Sequence, residues 1–216
     1  MMQKTLRITE IFHSIQGESR SVGIPTTFVR LTGCPLRCQY CDTEYAFSGG
    51  ETRDLNTIMA EVKRCTASYV TVTGGEPLAQ PSCTELLSML SDAGYIVSLE
   101  TSGAMDISTV DRRVSVVMDL KTPASGEVHR NLYSNIQHLK SDDQVKFVIC
   151  DRQDYEWSKF KIGEYALQDR VSEILFSPSY NEVSARDLAD WILADGLQVR
   201  LQLQIHKLLW GDVPGV

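Results

Sequence analysis

The sequence predicts an α/β protein whose strands and helices form an incomplete (partial) β/α barrel. Three observations carry that expectation. Short β-branched and aromatic runs alternate with helical patterns, a strand roughly every 25 residues, which is the order of a parallel sheet with crossover helices. The chain has 216 residues, fewer than the about 250 that a full eight-fold barrel takes. A segment rich in cysteine follows one of the strands directly, so it lies on a loop at a strand's C-terminal end, the end that carries chemistry in such barrels. A doubly wound open sheet shows the same alternation and stays open at this point.

The strands and helices follow in order. Thr26–Leu31 reads as a strand. Leu55, Ile58, Met59 and Val62 repeat as one apolar helix face. Tyr69–Thr73 is a strand closed by Gly74-Gly75. Ser82 and Glu85 have capping-box spacing ahead of Leu86, Leu87, Leu90 and Ala93, and Gly94 ends that helix. Ile96–Glu100, Ser115–Leu120, Val145–Cys150, Glu173–Phe176 and Val199–Gln204 are further strands, and Ser184 caps a helix carrying Leu188, Trp191 and Ile192.

Composition bounds the function. Hydrophobic residues make up 43% and charged residues 23% of the chain, which excludes a disordered chain, a fibrous repeat and a small disulfide scaffold. The net charge of −7 argues against an extended nucleic-acid footprint. The longest apolar runs, Phe147–Cys150 and Trp191–Ala194, have four residues, far short of the ~20 that span a bilayer. The N-terminal stretch lacks the apolar core of a signal peptide, so a cytoplasmic location with reduced thiols is expected. With no repeat or linker in sight, residues 1–216 are expected to form one domain.

Of the six cysteines, Cys34, Cys38 and Cys41 crowd one segment in the spacing C-x3-C-x2-C, while Cys65, Cys83 and Cys150 are scattered and read as packing residues. Soft thiolates suit zinc or an iron–sulfur cluster. Structural zinc and electron-carrying cubanes both want four closed ligands. Three thiolates on a tight loop leave one iron of a cubane open to a substrate or cofactor. A zinc site completed by a distant ligand, and hence a non-enzymatic metal-binding module, is the alternative.

The triplet, with Tyr40 before its last cysteine, resembles the signature of the radical S-adenosylmethionine (SAM) superfamily. Thr73-Gly74-Gly75-Glu76-Pro77 is similar to that superfamily's glycine-rich motif. The resemblance implies a [4Fe-4S] cluster on Cys34, Cys38 and Cys41 whose open iron chelates SAM and cleaves it reductively to a 5′-deoxyadenosyl radical. A narrower resemblance spans nearly the whole chain. Phe12–Glu18, Phe28–Leu31, Cys41–Thr43, Leu99–Gly103 and Leu203–Lys207 are similar to segments of the 7-carboxy-7-deazaguanine synthase family. Glycyl-radical activating enzymes share the cysteine loop but act on a protein substrate. They give no reason for Gln16, Glu18 and Arg30.

The narrower resemblance implies hydrogen abstraction at C6 of 6-carboxy-5,6,7,8-tetrahydropterin, ring contraction, regeneration of SAM and loss of ammonia to give 7-carboxy-7-deazaguanine. It also implies Mg2+, a homodimer and a flavodoxin-like reductant. Carried over by position, Ile15, Gln16, Gly17 and Glu18 form a pterin-binding turn, in which Glu18 accepts from the ring's 2-amino and N–H donors. Arg30 grips the substrate carboxylate. Thr43 is a Mg2+ ligand that needs substrate and water oxygens beside it. Thr73 and His206 contact substrate. Tyr40, Cys41, Asp42, Gly75, Glu100, Ser102, Asp119 and Lys121 lie along SAM. The chain departs from many members in having Asp119-Leu120-Lys121 for Ser-Pro-Lys, and in running on through Leu208, Leu209 and Trp210 after the histidine–lysine motif.

Overall fold

The computed structural model describes residues 4–211, 213 and 215. Nine strands form one sheet. They are β1 (Thr5–Ile15), β2 (Pro25–Leu31), β3 (Glu51–Asp54), β4 (Tyr69–Gly74), β5 (Ile96–Thr101), β6 (Ser115–Asp119), β7 (Gln144–Ile149), β8 (Glu173–Pro178) and β9 (Arg200–Leu201). Their order is β3-β1-β2-β4-β5-β6-β7-β8-β9. β1 pairs antiparallel with both β2 and β3, and every pair from β2 to β9 is parallel. From β2 onward the order never reverses, so there is no switch point of the doubly wound kind. The sheet curls but does not close. Lys146 of β7 reaches Glu18 just past the end of β1, and the Arg200 guanidinium donates to the Ser19 carbonyl.

Strict alternation of side chains decides which face does what. On β4, Val70 and Val72 point to the helices while Thr71 and Thr73 take the opposite face. Val97 and Leu99 against Ser98 and Glu100 repeat the pattern on β5, and Val145 and Phe147 against Lys146 on β7. Parallel strands covered on both faces usually read as unbroken apolar runs. These alternate because their concave face lines a polar cavity. On the convex face, α1 (Leu55–Arg64) and α2 (Cys83–Asp92) pack over β1, β2, β4 and β5. α3 (Arg152–Glu164) and α4 (Ala185–Asp195) pack over β6–β8. A short α5 (Ile205–Trp210) follows β9. Among the described residues no helix is long and apolar enough to cross a membrane.

Several local expectations are corrected. Ser82 precedes α2 with helical backbone angles and makes no side-chain cap, so the capping box does not form. Ser184 does cap α4, accepting from the Asp187 N–H at 3.0 Å. The last strand covers only Arg200–Leu201, because the chain then turns into α5 to reach the cavity. β1, β3, α3 and α5 carry no clear sequence pattern. The buried side of α3 includes Asp154 and Ser158, which breaks its apolar stripe. Cys83 and Cys150 are buried as expected of packing residues, and Cys65 is half-buried.

Candidate active site

An open cavity of about 300 Å³ lies on the concave face at the C-terminal ends of the parallel strands, and every site residue expected from the sequence lines it. The loop after β2 supplies the cysteines. Leu36, 1% exposed, anchors this loop. The Arg37 N–H donates to Glu127 at 2.7 Å, and the Gln39 N–H donates to the Ser125 carbonyl at 3.0 Å. Burial pushes all three thiols up, Cys38 to about 11. The Lys121 ammonium opposes that rise at each of them. Lys121 is itself buried, paired with Asp119 at 2.9 Å and 5.7 Å from the Tyr40 ring centre. Burial drives the Tyr40 phenol well above its usual range. Its hydroxyl and Asp119 Oδ1 are buried without a hydrogen-bond partner among the described residues.

The end of β4 is laced to this loop. The Gly75 N–H donates to the Leu31 carbonyl and the Glu76 N–H to that of Gly33. A Cβ on Gly75 would stand 2.3 Å from the Gly33 oxygen and 2.7 Å from Cys34 Cβ. The glycine is therefore required by backbone meeting backbone at the cysteine loop, a reason the sequence did not disclose. Glu76, wholly buried, accepts from the Leu78 and Ser102 N–H groups and from the Thr101 and Ser102 hydroxyls. It ties the loops after β4 and β5 together, and it takes up the Ser102 hydroxyl.

Deeper in, the Gln16 amide donates to Thr71 and Glu100 and accepts from the Glu18 N–H. The Thr73 hydroxyl donates to Glu100 at 2.9 Å. Burial, then the neighbouring Glu18, raises the Glu100 carboxyl above the usual range. Glu18 Oε2 lies 2.5 Å from Lys146 Nζ, while its Oε1 is buried and has no hydrogen-bond partner among the described residues. Arg30 Nε donates to Glu10 at 2.7 Å, and the guanidinium carbon lies 5.6 Å from the Phe12 ring centre and 5.8 Å from that of Tyr45. Gly17 presses on the His206 ring so closely that a Cβ would sit 1.9 Å from Nδ1. The Ile205 N–H donates to the Gly17 carbonyl, which fixes α5 over the end of β1. Burial holds the His206 imidazole below its usual range.

At the rim, Thr43 donates to Asp42 at 2.8 Å, which leaves the lone pairs of its hydroxyl for a cation. Asp42 also accepts from Gln204 at 3.0 Å and Lys207 at 3.1 Å. Against the cost of burial, the Lys207 ammonium and these hydrogen bonds hold its carboxyl well below the usual range. Sequence reasoning missed Glu10 and Lys146, whose partners lie elsewhere in the chain, and it placed Glu76 and Gln204 within motifs but gave them no role of their own.

Among the described residues no three His, Cys, Asp or Glu side chains are gathered as ligands of a single ion. A cubane takes each thiolate at a different iron, so its ligands frame a volume rather than converge on a point. Three half-buried thiols around one cavity, with a buried ammonium near all of them, fit that group. The unpartnered oxygens of Tyr40 and Asp119 beside them fit a polar cofactor.

Fold and site together define a radical SAM enzyme, and the Radical SAM superfamily model matches residues 28–191. Relatives narrow this further. A 7-carboxy-7-deazaguanine synthase from Koribacter versatilis is 42% identical, the match covering 95% of this chain and 97% of the relative. One from Chlorobaculum tepidum is 42% identical over 98% and 97%, and one from Thermoplasma acidophilum 37% identical over 97% and 99%. The chain belongs to the 7-carboxy-7-deazaguanine synthase family. The crystal structure of QueE from Escherichia coli superposes with a TM-score of 0.77 at 22% identity, covering 93% of this chain and 94% of that one, which shows the shared fold. Full-length matches of this kind do not favour glycyl-radical activation or a bare metal-binding module.

Proposed function

We propose that this chain, as a single catalytic unit, converts 6-carboxy-5,6,7,8-tetrahydropterin into 7-carboxy-7-deazaguanine and ammonia. The observation that carries this reading is the buried, unpartnered Oε1 of Glu18 in the same cavity as the three cysteines. A pterin edge brings the adjacent N–H donors that such an oxygen lacks.

Cys34, Cys38 and Cys41 would hold the cluster, which supplies the electron that splits SAM and so the radical that takes hydrogen from C6. The protein's own part is placement. Tyr40, Asp119 and Lys121 bound the SAM side of the cavity. Glu18 fixes the pyrimidine edge, and Gln16 holds the turn that carries it. Arg30 spends Nε on Glu10, which leaves the Nη edge of its guanidinium to the substrate carboxylate. Thr43 offers an oxygen to Mg2+, which would share that carboxylate and neutralise charge as ammonia leaves. Burial keeps the His206 imidazole uncharged near pH 7, so it can donate from one nitrogen and accept at the other. A cytoplasmic homodimer served by a flavodoxin-like reductant completes the proposal.

The test is anaerobic. Cluster-reconstituted protein is incubated with SAM, Mg2+, dithionite and the tetrahydropterin, and products are read by mass spectrometry. The expected result is 7-carboxy-7-deazaguanine with SAM recovered, and a slower reaction without Mg2+. Cleavage of SAM to 5′-deoxyadenosine with no deazaguanine would move the substrate elsewhere.

A further inference from the structure

We propose that Lys146, on β7, is a positioning residue for the pterin edge: it pins one oxygen of Glu18 and leaves the other to the substrate. The proposal rests on the function proposed above. Lys146 Nζ lies 2.5 Å from Glu18 Oε2, and the two side chains are 14% and 12% exposed. Oε1 of the same carboxylate is buried and accepts no hydrogen bond among the described residues. A buried carboxylate oxygen without a donor is costly, and in a cavity built for a ligand the ligand can supply the donor. An ammonium on Oε2 fixes the plane of the carboxylate, so Oε1 is presented to the ring's N–H donors in one orientation.

The same contact is the ion pair that the described residues give Glu18. Glu100 faces the pair from β5, Asp119 from β6, Arg30 from β2 and His206 from α5. Arg30 is engaged by Glu10, and Asp119 by Lys121. Without Lys146, Glu18 loses the ion pair that holds its plane beside the Glu100 carboxylate, so Oε1 is no longer presented in one orientation.

Lys146→Met, Lys146→Arg, Glu18→Gln and the Glu18→Gln/Lys146→Met double variant are made in cluster-reconstituted protein. Binding of 6-carboxypterin, the fluorescent oxidised analogue, is measured beside turnover of the tetrahydropterin. Lys146→Met is expected to weaken 6-carboxypterin binding by about ten- to a hundredfold, with iron content and the KM for SAM unchanged. Lys146→Arg recovers most of the loss. Because Lys146 acts through Glu18, the double variant is expected to bind no worse than Glu18→Gln alone.

Wild-type binding in Lys146→Met would overturn the proposal, as would fully additive losses in the double variant. Should Lys146→Met fail to fold, Lys146→Gln is judged by the same binding and double-variant readouts. A wild-type protein that neither binds 6-carboxypterin nor turns over the tetrahydropterin overturns the proposed function, and this proposal with it. Wild-type turnover beside an unaffected Lys146 variant overturns this proposal alone.

Discussion

The cysteine loop and the inner wall of the sheet enclose the same cavity, yet they are built in opposite ways. The loop is half-buried, has no regular structure through its cysteines, and is fixed by backbone bonds and one buried leucine, Leu36. The wall consists of charged and polar side chains on the strands and on the turn after β1, most of them paired to a group on another element. Glu10 meets Arg30 across the antiparallel β1–β2 pair, and Glu18 meets Lys146 across the curl of the sheet. Local chain geometry thus builds the part that would hold a cluster, and strand register builds the part that would orient a substrate. Substitutions in the loop should therefore fail through the cluster. Those in the wall should fail through the substrate.

The largest effect is expected in the loop. Cys38→Ala should lose its iron and the visible absorbance of a reconstituted cluster, with turnover at background, while thermal unfolding of the apo protein changes little. A variant that keeps iron and activity would remove Cys38 from the ligand set.

Next is Glu76, the tie between the loops after β4 and β5. Glu76→Ala leaves the Ser102 and Leu78 N–H groups and two hydroxyls without their acceptor. Stranding several buried donors should cost about 3 kcal/mol or more, which lowers the melting temperature by roughly 6–12 °C in a chain of this size. SAM affinity should fall as well, because Gly75 loses its fixed neighbour. An unchanged melting temperature would mean that the network is dispensable and that the two loops are held some other way.

The two faces of β4 allow a direct comparison. Val72 is fully buried under the helices, so Val72→Ala should cost about 2 kcal/mol and leave the KM for the pterin unchanged. Thr73→Val keeps volume but removes the donor to Glu100. It should cost about 1 kcal/mol, raise the Glu100 carboxyl still further and cut kcat/KM by more than Val72→Ala does. Equal stability losses with equal turnover would erase the distinction between the faces.

Much of this was legible in the sequence for the reason the comparison gives. Cys34–Cys41 and Thr73–Pro77 are contiguous, and α1 and α2 carry clean apolar stripes, so spacing alone marks them. The convex face was legible through Val70, Val72, Val97 and Leu99. β1 was hidden because its register shifts between Ile8 and Glu10 and all its residues but Leu6 and Ile8 stay partly or fully exposed. α3 was hidden because Asp154, fully buried, faces inward to accept from Thr122, Ala124 and Cys150. Lys146 was hidden because a lysine between valine and phenylalanine in a strand reads as an exposed edge, and only the curl of the sheet makes it an inner-wall residue.

The smallest expected effect separates two serines that look alike in sequence. Both Ser82 and Ser184 precede helices. The backbone decides between them: Ser184 is extended and its hydroxyl accepts from Asp187, whereas Ser82 is already helical and its side chain caps nothing. Ser184→Ala should therefore cost about 1 kcal/mol and Ser82→Ala under about 0.5 kcal/mol, read as denaturant midpoints at constant m. Equal losses would show that Ser82 takes up its capping role in solution, so that the sequence pattern at α2 outweighs the local backbone geometry.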